Sequence, residues 1–355
     1  MAVKRVPSRV TLSAVAADAG VTMSTASTIL SENPAYLPKF SPATIRRVRK
    51  SAGKLGYQAN LFASGLSAKG ASLFFALVLR DTRYSPASEK HLWSFDADLL
   101  GGIIDVAEQR GLYPVVAMTR PEASESETRN LGRVLNGGVF GAIVRTPTPA
   151  LERSLRQKVR AGWPTTIVFP QSISAWSSNV VDTDNVELGM HAGRMLAKQR
   201  RRRWLVIRDA KDSEPQNNRI LVFRTVARES GAKLNVVLCP KGMRPHRAAM
   251  AVAAGLDRYR PDGAFAMSAQ NSLAFLRACR KTGREPGKDV LHLGCDCSVI
   301  AGVIVPRITS LEVSWRDIGV AAMEKLMEMR DSGKPRFPNL LLKHKVLPGD
   351  TCPVD

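Results

Sequence analysis

Several classes of protein are excluded by what this chain lacks. Its 355 residues include five cysteines, an odd number without repeating spacing, so no disulfide framework is expected. Cys295 and Cys297 form a lone C-x-C with no second half. That suggests small core thiols in a reducing compartment rather than a metal site. The five histidines, His91, His191, His246, His292 and His344, stand at no metal-like spacing. No G-x-x-x-x-G-K-S/T loop, H-E-x-x-H or G-x-S-x-G occurs, so no phosphate cradle, zinc-protease helix or nucleophile elbow is expected. Ser51 and Lys54 have the spacing of a serine–lysine pair, but both fall on a short basic helix and the match is read as chance. No catalytic residue, cofactor or metal is therefore assigned. No apolar run approaches the roughly 20 residues that cross a bilayer. The opening MAVKRVPSRV is basic without the apolar centre of a signal peptide, so the expectation is a soluble, cytoplasmic protein and no membrane partner.

Acidic residues are also scarce, 31 against 52 lysines and arginines, for a net charge of +21. The excess is concentrated at the front: residues 1–70 carry ten basic side chains against Asp18 and Glu32. Such a balance favours a polyanionic partner. Within that stretch, residues 10–31 read VTLSAVAADAGVTMSTASTILS. Thr11 can cap a short helix with Leu12, Val15 and Ala16 on its apolar face, and Gly20 can end it. Thr22 then caps a second helix that buries Ala26, Ile29 and Leu30 and leaves Met23, Ser24, Thr25, Ser27 and Thr28 outside. Two short helices about a glycine turn, with small polar residues leading the second, match a helix-turn-helix reader of double-stranded DNA. Ser41 and Pro42 open a third helix that Gly56 stops, with Ile45, Val48, Ala52 and Leu55 inward. Its outer residues Arg46, Arg47, Arg49, Lys50 and Lys54 are suited to phosphate contact.

Residues 60–68, NLFASGLSA, read as a joint. Beyond it, apolar runs alternate with amphipathic segments. Strands are expected at 73–79, 113–119, 141–146, 165–170, 204–209, 233–239, 263–268 and 289–296, and a last one at 340–347. Helices such as 97–110, 186–199, 217–230 and 270–282 lie between them. That alternation means α/β units with parallel sheets, enough for two, with ligands at the carboxyl ends of the strands.

Taken in order, the motifs resemble the LacI/GalR family of transcriptional regulators. Val10-Thr11, Val15-Ala16, Ala19-Gly20-Val21-Thr22, Thr25-Ala26-Ser27 and Ile29-Leu30 follow the family's opening pattern. Leu55-Gly56-Tyr57-Gln58-Ala59-Asn60 follows its L-G-Y-x-x-N. Asp184-Asn185 with Gly189 and Ala192-Gly193, Arg219 with Phe223, Gly294-Cys295-Asp296, and Thr309 with Ile318-Gly319 and Ala322 follow the later signatures.

The resemblance implies an all-α helix-turn-helix head at 1–59, a hinge at 60–70 and a two-lobed, periplasmic-binding-protein-like effector domain at 71–355. One lobe would comprise about 71–174 and 305–335, the other about 175–304 and 336–350. It implies DNA contacts from Thr11, Thr22, Met23, Ser24, Thr25, Ser27, Thr28, Tyr57 and Asn60. Leu66 would wedge into the minor groove. Met23, Ser24 and Thr28 would meet base edges, and none makes a bidentate contact, so a relaxed or unusual operator preference is expected. The hinge departs from pattern at Ala59, Ser64 and Gly65, which suggests a helix that folds poorly. The effector cleft would be lined by Phe95, Asp96, Arg219, Gln270 and Asp296. A sugar suits that set: carboxylate and guanidinium can hold hydroxyls, and an aromatic face can stack on a ring. Asn271 and Leu276 depart from the family's usual Asp and Gly. A homodimer on a pseudo-palindromic operator follows, with no heptad tail for a tetramer. The competing reading is the solute-binding protein of a transporter.

Overall fold

The computed structural model describes residues 10–31, 36–58, 72–80, 92–120, 131–135, 138–209, 213–239 and 245–354. The chain divides into two compact units, Met1–Ser72 and Leu73–Asp355. The hinge positions Ala59, Asn60, Ser64, Gly65 and Leu66 lie outside the described residues, as does much of the 80–94 stretch.

The first unit contains α1 (Leu12–Asp18), α2 (Met23–Leu30) and α3 (Pro42–Leu55). Each is started by a hydroxyl that accepts from the backbone N–H three residues on: Thr11 from Ala14, Thr22 from Thr25 and Ser41 from Thr44. These caps satisfy donors that a helix end otherwise leaves bare. Gly56 closes α3 in the left-handed region at φ 67°, where a Cβ would be strained. Val15, Ala16, Ala19, Ala26, Ile29, Val48 and Ala52 form the buried centre. Leu12, Leu30, Ile45 and Leu55 pack around it half-buried. Ser51 is buried and donates to the Val15 carbonyl, while Lys54 pairs with Asp18 at 2.8 Å. The serine–lysine spacing therefore holds two helices together.

The second unit has two six-stranded sheets. The first runs β11-β5-β4-β3-β1-β2, formed by β1 (Phe74–Arg80), β2 (Tyr113–Thr119), β3 (Ala142–Arg145), β4 (Thr165–Val168), β5 (Val180–Thr183) and β11 (Leu340–Leu342), all parallel. The second runs β12-β10-β9-β8-β6-β7, formed by β6 (Arg203–Asp209), β7 (Lys233–Cys239), β8 (Gly263–Ala266), β9 (Leu291–Cys295), β10 (Thr309–Glu312) and β12 (Lys345–Leu347). Only β12 in it is antiparallel. Helices cover both faces, which is why central strands such as β1, β3 and β8 are buried along their length rather than alternating. On the first sheet, α4 (Leu92–Gln109) and α11 (Trp315–Ser332) share one core and α5 (Pro149–Arg160) belongs to the other. On the second, α6 (Asn185–Lys198) and α7 (Glu214–Glu229) cover one face, and α8 (Pro245–Tyr259) and α9 (Ala269–Thr282) the other. α10 (Ser298–Ala301) follows β9. All five cysteines are buried thiols, and every one lies between β7 and the chain end.

The lobe limits expected above need correction. Residues 175–183 end in β5 of the first sheet, whereas β10 at 309–312 belongs to the second. The expected last strand at 340–347 is two strands: β11 pairs with β5, and β12 pairs with β10 in the other sheet. The chain thus crosses between lobes at 183–185, 312–315 and 342–345. β5 (VVDT) and β10 (TSLE) escaped sequence reading because four residues with polar ends carry no usable period.

Candidate functional site

In the first unit, Met23, Ser24 and Ser27 are exposed on α2, with Met23 at 54%. Thr25 is half-buried and its hydroxyl lies 2.9 Å from that of Thr22. Thr28 donates its hydroxyl to the Ser24 carbonyl at 2.8 Å, so in this rotamer it offers a neighbour only its oxygen lone pairs. Tyr57 is half-buried against the three-helix core. Arg46, Arg47, Arg49 and Lys50 are exposed on α3. This unit therefore offers a helix with an uncharged leading face together with an exposed basic helix surface.

In the second unit, a cavity of about 280 Å³ opens between the lobes at the carboxyl ends of the strands, the place where open α/β sheets hold ligands. Phe95, Trp315 and Phe169 make its apolar wall. Phe95 stacks on Trp315 at 4.9 Å with 12° between planes, and Phe169 tilts against the same indole at 4.4 Å. Such a wall can take the apolar face of a ring. Arg80 and Arg145 reach the cavity from the ends of β1 and β3, and Asp182 from β5. Asp209, Arg219, Gln270 and Asp296 reach it from the second lobe.

Of the expected cleft residues, Phe95, Arg219, Gln270 and Asp296 line the cavity and Asp96 does not. Asp96 is buried and pairs with Arg145 Nε at 2.8 Å. Burial pushes the Asp96 carboxyl up, and the Arg145 and Arg80 guanidiniums hold it back. Its task is to keep Arg145, which also lies over the Trp315 ring, in place at the cleft edge. Adjacent helix residues point in different directions, and here Phe95 faces the cavity while Asp96 faces Arg145. Sequence reading passed over Arg80, Arg145 and Trp315. The available signal was a lone cation closing an apolar strand, in FFALVLR and AIVR.

Arg219 is positioned by the motif residues around it. Asn185, at the start of α6, accepts from its Nε at 3.1 Å and its Nη2 at 2.5 Å, and Nη1 lies 3.0 Å from Cys295 Sγ. A Cβ on Gly189 would sit 2.2 Å from the Arg219 carbonyl, and one on Gly193 2.8 Å from Val226. Glycine at both positions lets α7 approach closely enough for this hydrogen bonding. Asp296 Oδ1 accepts from the Val313 N–H at 2.9 Å, tying the end of β9 to a lobe crossing. Burial raises the Asp296 carboxyl to about 6, helped by the Glu312 charge and opposed by the Val313 N–H and Arg219. Burial likewise raises Asp182 to about 7, against a hydrogen bond from the Thr183 N–H and the Arg219 charge. Asp209 is raised by burial and pulled back by the Asn271 amide and Arg208.

Three lining residues that are not glycine hold positive φ: Thr146 at 45°, Phe169 at 50° and Asp296 at 54°. Each directly follows a strand. A β-branched residue in this region is costly, and such outliers gather at functional sites.

Residues 184–352 match the periplasmic binding protein-like domain family. Over 93% of its length the chain is 27% identical to 94% of the HTH-type transcriptional regulator CelR of Thermobifida fusca. A solved transcriptional regulator CelR–cellobiose complex superposes with a TM-score of 0.66 at 25% identity, covering 97% of this chain and all of that one. The lac repressor dimer bound to operator and the anti-inducer ONPF has the same fold, with a TM-score of 0.80 at 17% identity, covering 97% of this chain and 99% of that one. The order of motifs that resembles the LacI/GalR family is thus accompanied by similarity to such regulators along nearly the whole chain. The curated relatives that match along nearly the whole chain are transcriptional regulators rather than transport proteins. Among the described residues no helix is long and apolar enough to cross a membrane.

Proposed function

We propose that this chain is a LacI/GalR-family transcriptional regulator, a cytoplasmic repressor and not an enzyme. As a homodimer it grips a pseudo-palindromic operator through α2 and changes that grip when a carbohydrate fills the cleft. The observation that carries the effector reading is the pairing, in one cavity, of the Phe95–Trp315–Phe169 wall with Asp296 and Arg219. An aromatic face recognises the C–H side of a sugar. A carboxylate and a guanidinium recognise its hydroxyls. Three of the five Arg219 N–H donors are engaged and two remain for a ligand. At about 280 Å³ the cavity lies near the lower end of small-molecule pockets, roughly 300 Å³, which favours one sugar ring over two.

On DNA, Met23, Ser24 and Thr28 would meet base edges. Thr11, Thr22, Thr25, Ser27 and Tyr57 would steady the helix on phosphates, with the α3 cations adding sequence-independent attraction. Asn60 and Leu66 would extend the contact. With no bidentate side chain among the three readers, discrimination between operators is expected to be shallow.

The test combines calorimetry of the full-length protein against sugars and sugar acids with selection of genomic fragments at moderate salt. One compound class should bind once per protomer, and Asp296→Asn should weaken it about 10- to 100-fold, the worth of a charged hydrogen bond. The same compound should shift affinity for a selected fragment. Silence across the panel removes the carbohydrate reading. No preferred fragment over bulk competitor removes the operator reading.

A further inference from the structure

We propose that Glu187, His191 and His344 form a site for a divalent metal ion of the zinc type at the crossing between the lobes. Glu187 and His191 are one helical turn apart on α6, on one face, as i,i+4 spacing dictates. His344 lies 153 residues from His191, between β11 of the first sheet and β12 of the second, so no local spacing announces the group. Among the described residues it is the one cluster of three such side chains whose donor atoms lie within 4.8 Å of one another.

The three side chains already meet in pairs around the His344 ring. The His344 side chain is buried, with 3% of it exposed, and its Nδ1 lies 2.8 Å from Glu187 Oε2. Those two buried atoms are not aligned for a hydrogen bond, and neither has another partner. On the other side of the ring, Nε2 lies 2.8 Å from His191 Nδ1. A tetrahedral ion with N and O ligands at about 2.0–2.2 Å would hold the donors about 3.3 Å apart. Reaching that arrangement requires the His191 ring, now on the Nε2 side of His344, and the half-exposed Glu187 carboxylate, on the Nδ1 side, to turn toward a single nitrogen of that ring. Burial lowers the His344 imidazole, with Glu187 and Asp184 opposing and the nearby His191 and Arg219 charges adding to the shift. A neutral ring ligates through its bare nitrogen and keeps its N–H on the other. Two imidazoles and one carboxylate suit Zn²⁺ and leave a fourth position for water on the Glu187 side. An ion here would join α6, whose first residue holds Arg219, to the chain segment linking β11 and β12.

The experiment uses chelator-treated, untagged full-length protein with Zn²⁺ followed by calorimetry, and Co²⁺ followed by its visible absorption. Wild type and His246→Gln, an exposed control, should each take one equivalent. His191→Gln and His344→Gln should each lose at least about 100-fold in affinity and the tetrahedral cobalt bands. Circular dichroism checks folding, and the half-buried His191 keeps the test open if the His344 variant does not fold. All five cysteines are buried, and the cluster of three ligating side chains found among the described residues includes none of them. Absence of uptake by wild type overturns the proposal, as does an equivalent retained by either folded variant.

Discussion

On the leading turns of α2 the side chains are Met23, Ser24, Thr25, Ser27 and Thr28, uncharged and mostly exposed, whereas the cleft carries Arg80, Arg145, Arg219, Asp182, Asp209 and Asp296. The first surface costs little to keep in water and lets the approaching molecule supply the charge. The second fixes charges where water is scarce, each carboxylate set against a nearby guanidinium or backbone N–H, so its groups are aimed before anything binds. A grip on a polyanion can be spread over a basic surface, while a small neutral molecule needs directed partners.

That contrast can be broken most forcefully at Asp96. Removing it strands the buried Arg145, and Asp96→Ala is expected to cost about 3–5 kcal/mol in urea unfolding of the second unit. A loss under 1 kcal/mol would mean that the cleft charges are not pre-aimed by burial. Ile29→Ala should cost about 2–5 kcal/mol in the three-helix unit. Fragment binding should then vanish while ligand calorimetry is unchanged, and loss of both would show that the two units do not act separately.

Asp182→Asn tests the buried charge through pH. An unfolded Asp182 ionises near 3.8, while the folded one keeps its proton to about 7. Between those values the native state binds more protons, so wild-type stability falls as pH rises through the window and levels off above it. The variant lacks that slope. It should gain a few kcal/mol on wild type between pH 4 and 8, read from denaturation midpoints. An equal difference at both ends rules out a buried proton on Asp182. His292, held down to about 3 by burial, contributes a slope of opposite sign below 6.5 that is common to both proteins and cancels. Smallest is Ser41→Ala, which removes the α3 cap and should cost about 1 kcal/mol, measured as a lowered melting temperature of the first unit.

The three-helix unit was legible because its determinants are local: Thr11, Thr22 and Ser41 cap helices that begin one residue later, and Gly56 stops the third. The strands at 113–119 and 233–239 were read to the residue: both are edge strands, and each begins two residues after a glycine of positive φ, Gly111 and Gly231, that marks the turn before it. The cleft was legible only where a motif named its residues. Arg145 and Trp315 meet through pairings across 170 positions, and His191 meets His344 the same way, which no periodicity can report. Asp96 stands one residue from the cavity wall and is engaged by Arg145, a partner 49 positions away that no local pattern reports.

The five cysteines also make the second lobe its own clock. Burial lifts their thiols, Cys239 to about 11 and Cys279 and Cys297 to about 12, so an alkylating reagent must wait for the lobe to open before it can react. The first sheet and the three-helix unit contain none. Alkylation rates followed by mass spectrometry therefore report the breathing of one half of the effector domain, without an engineered probe and without interference from the rest.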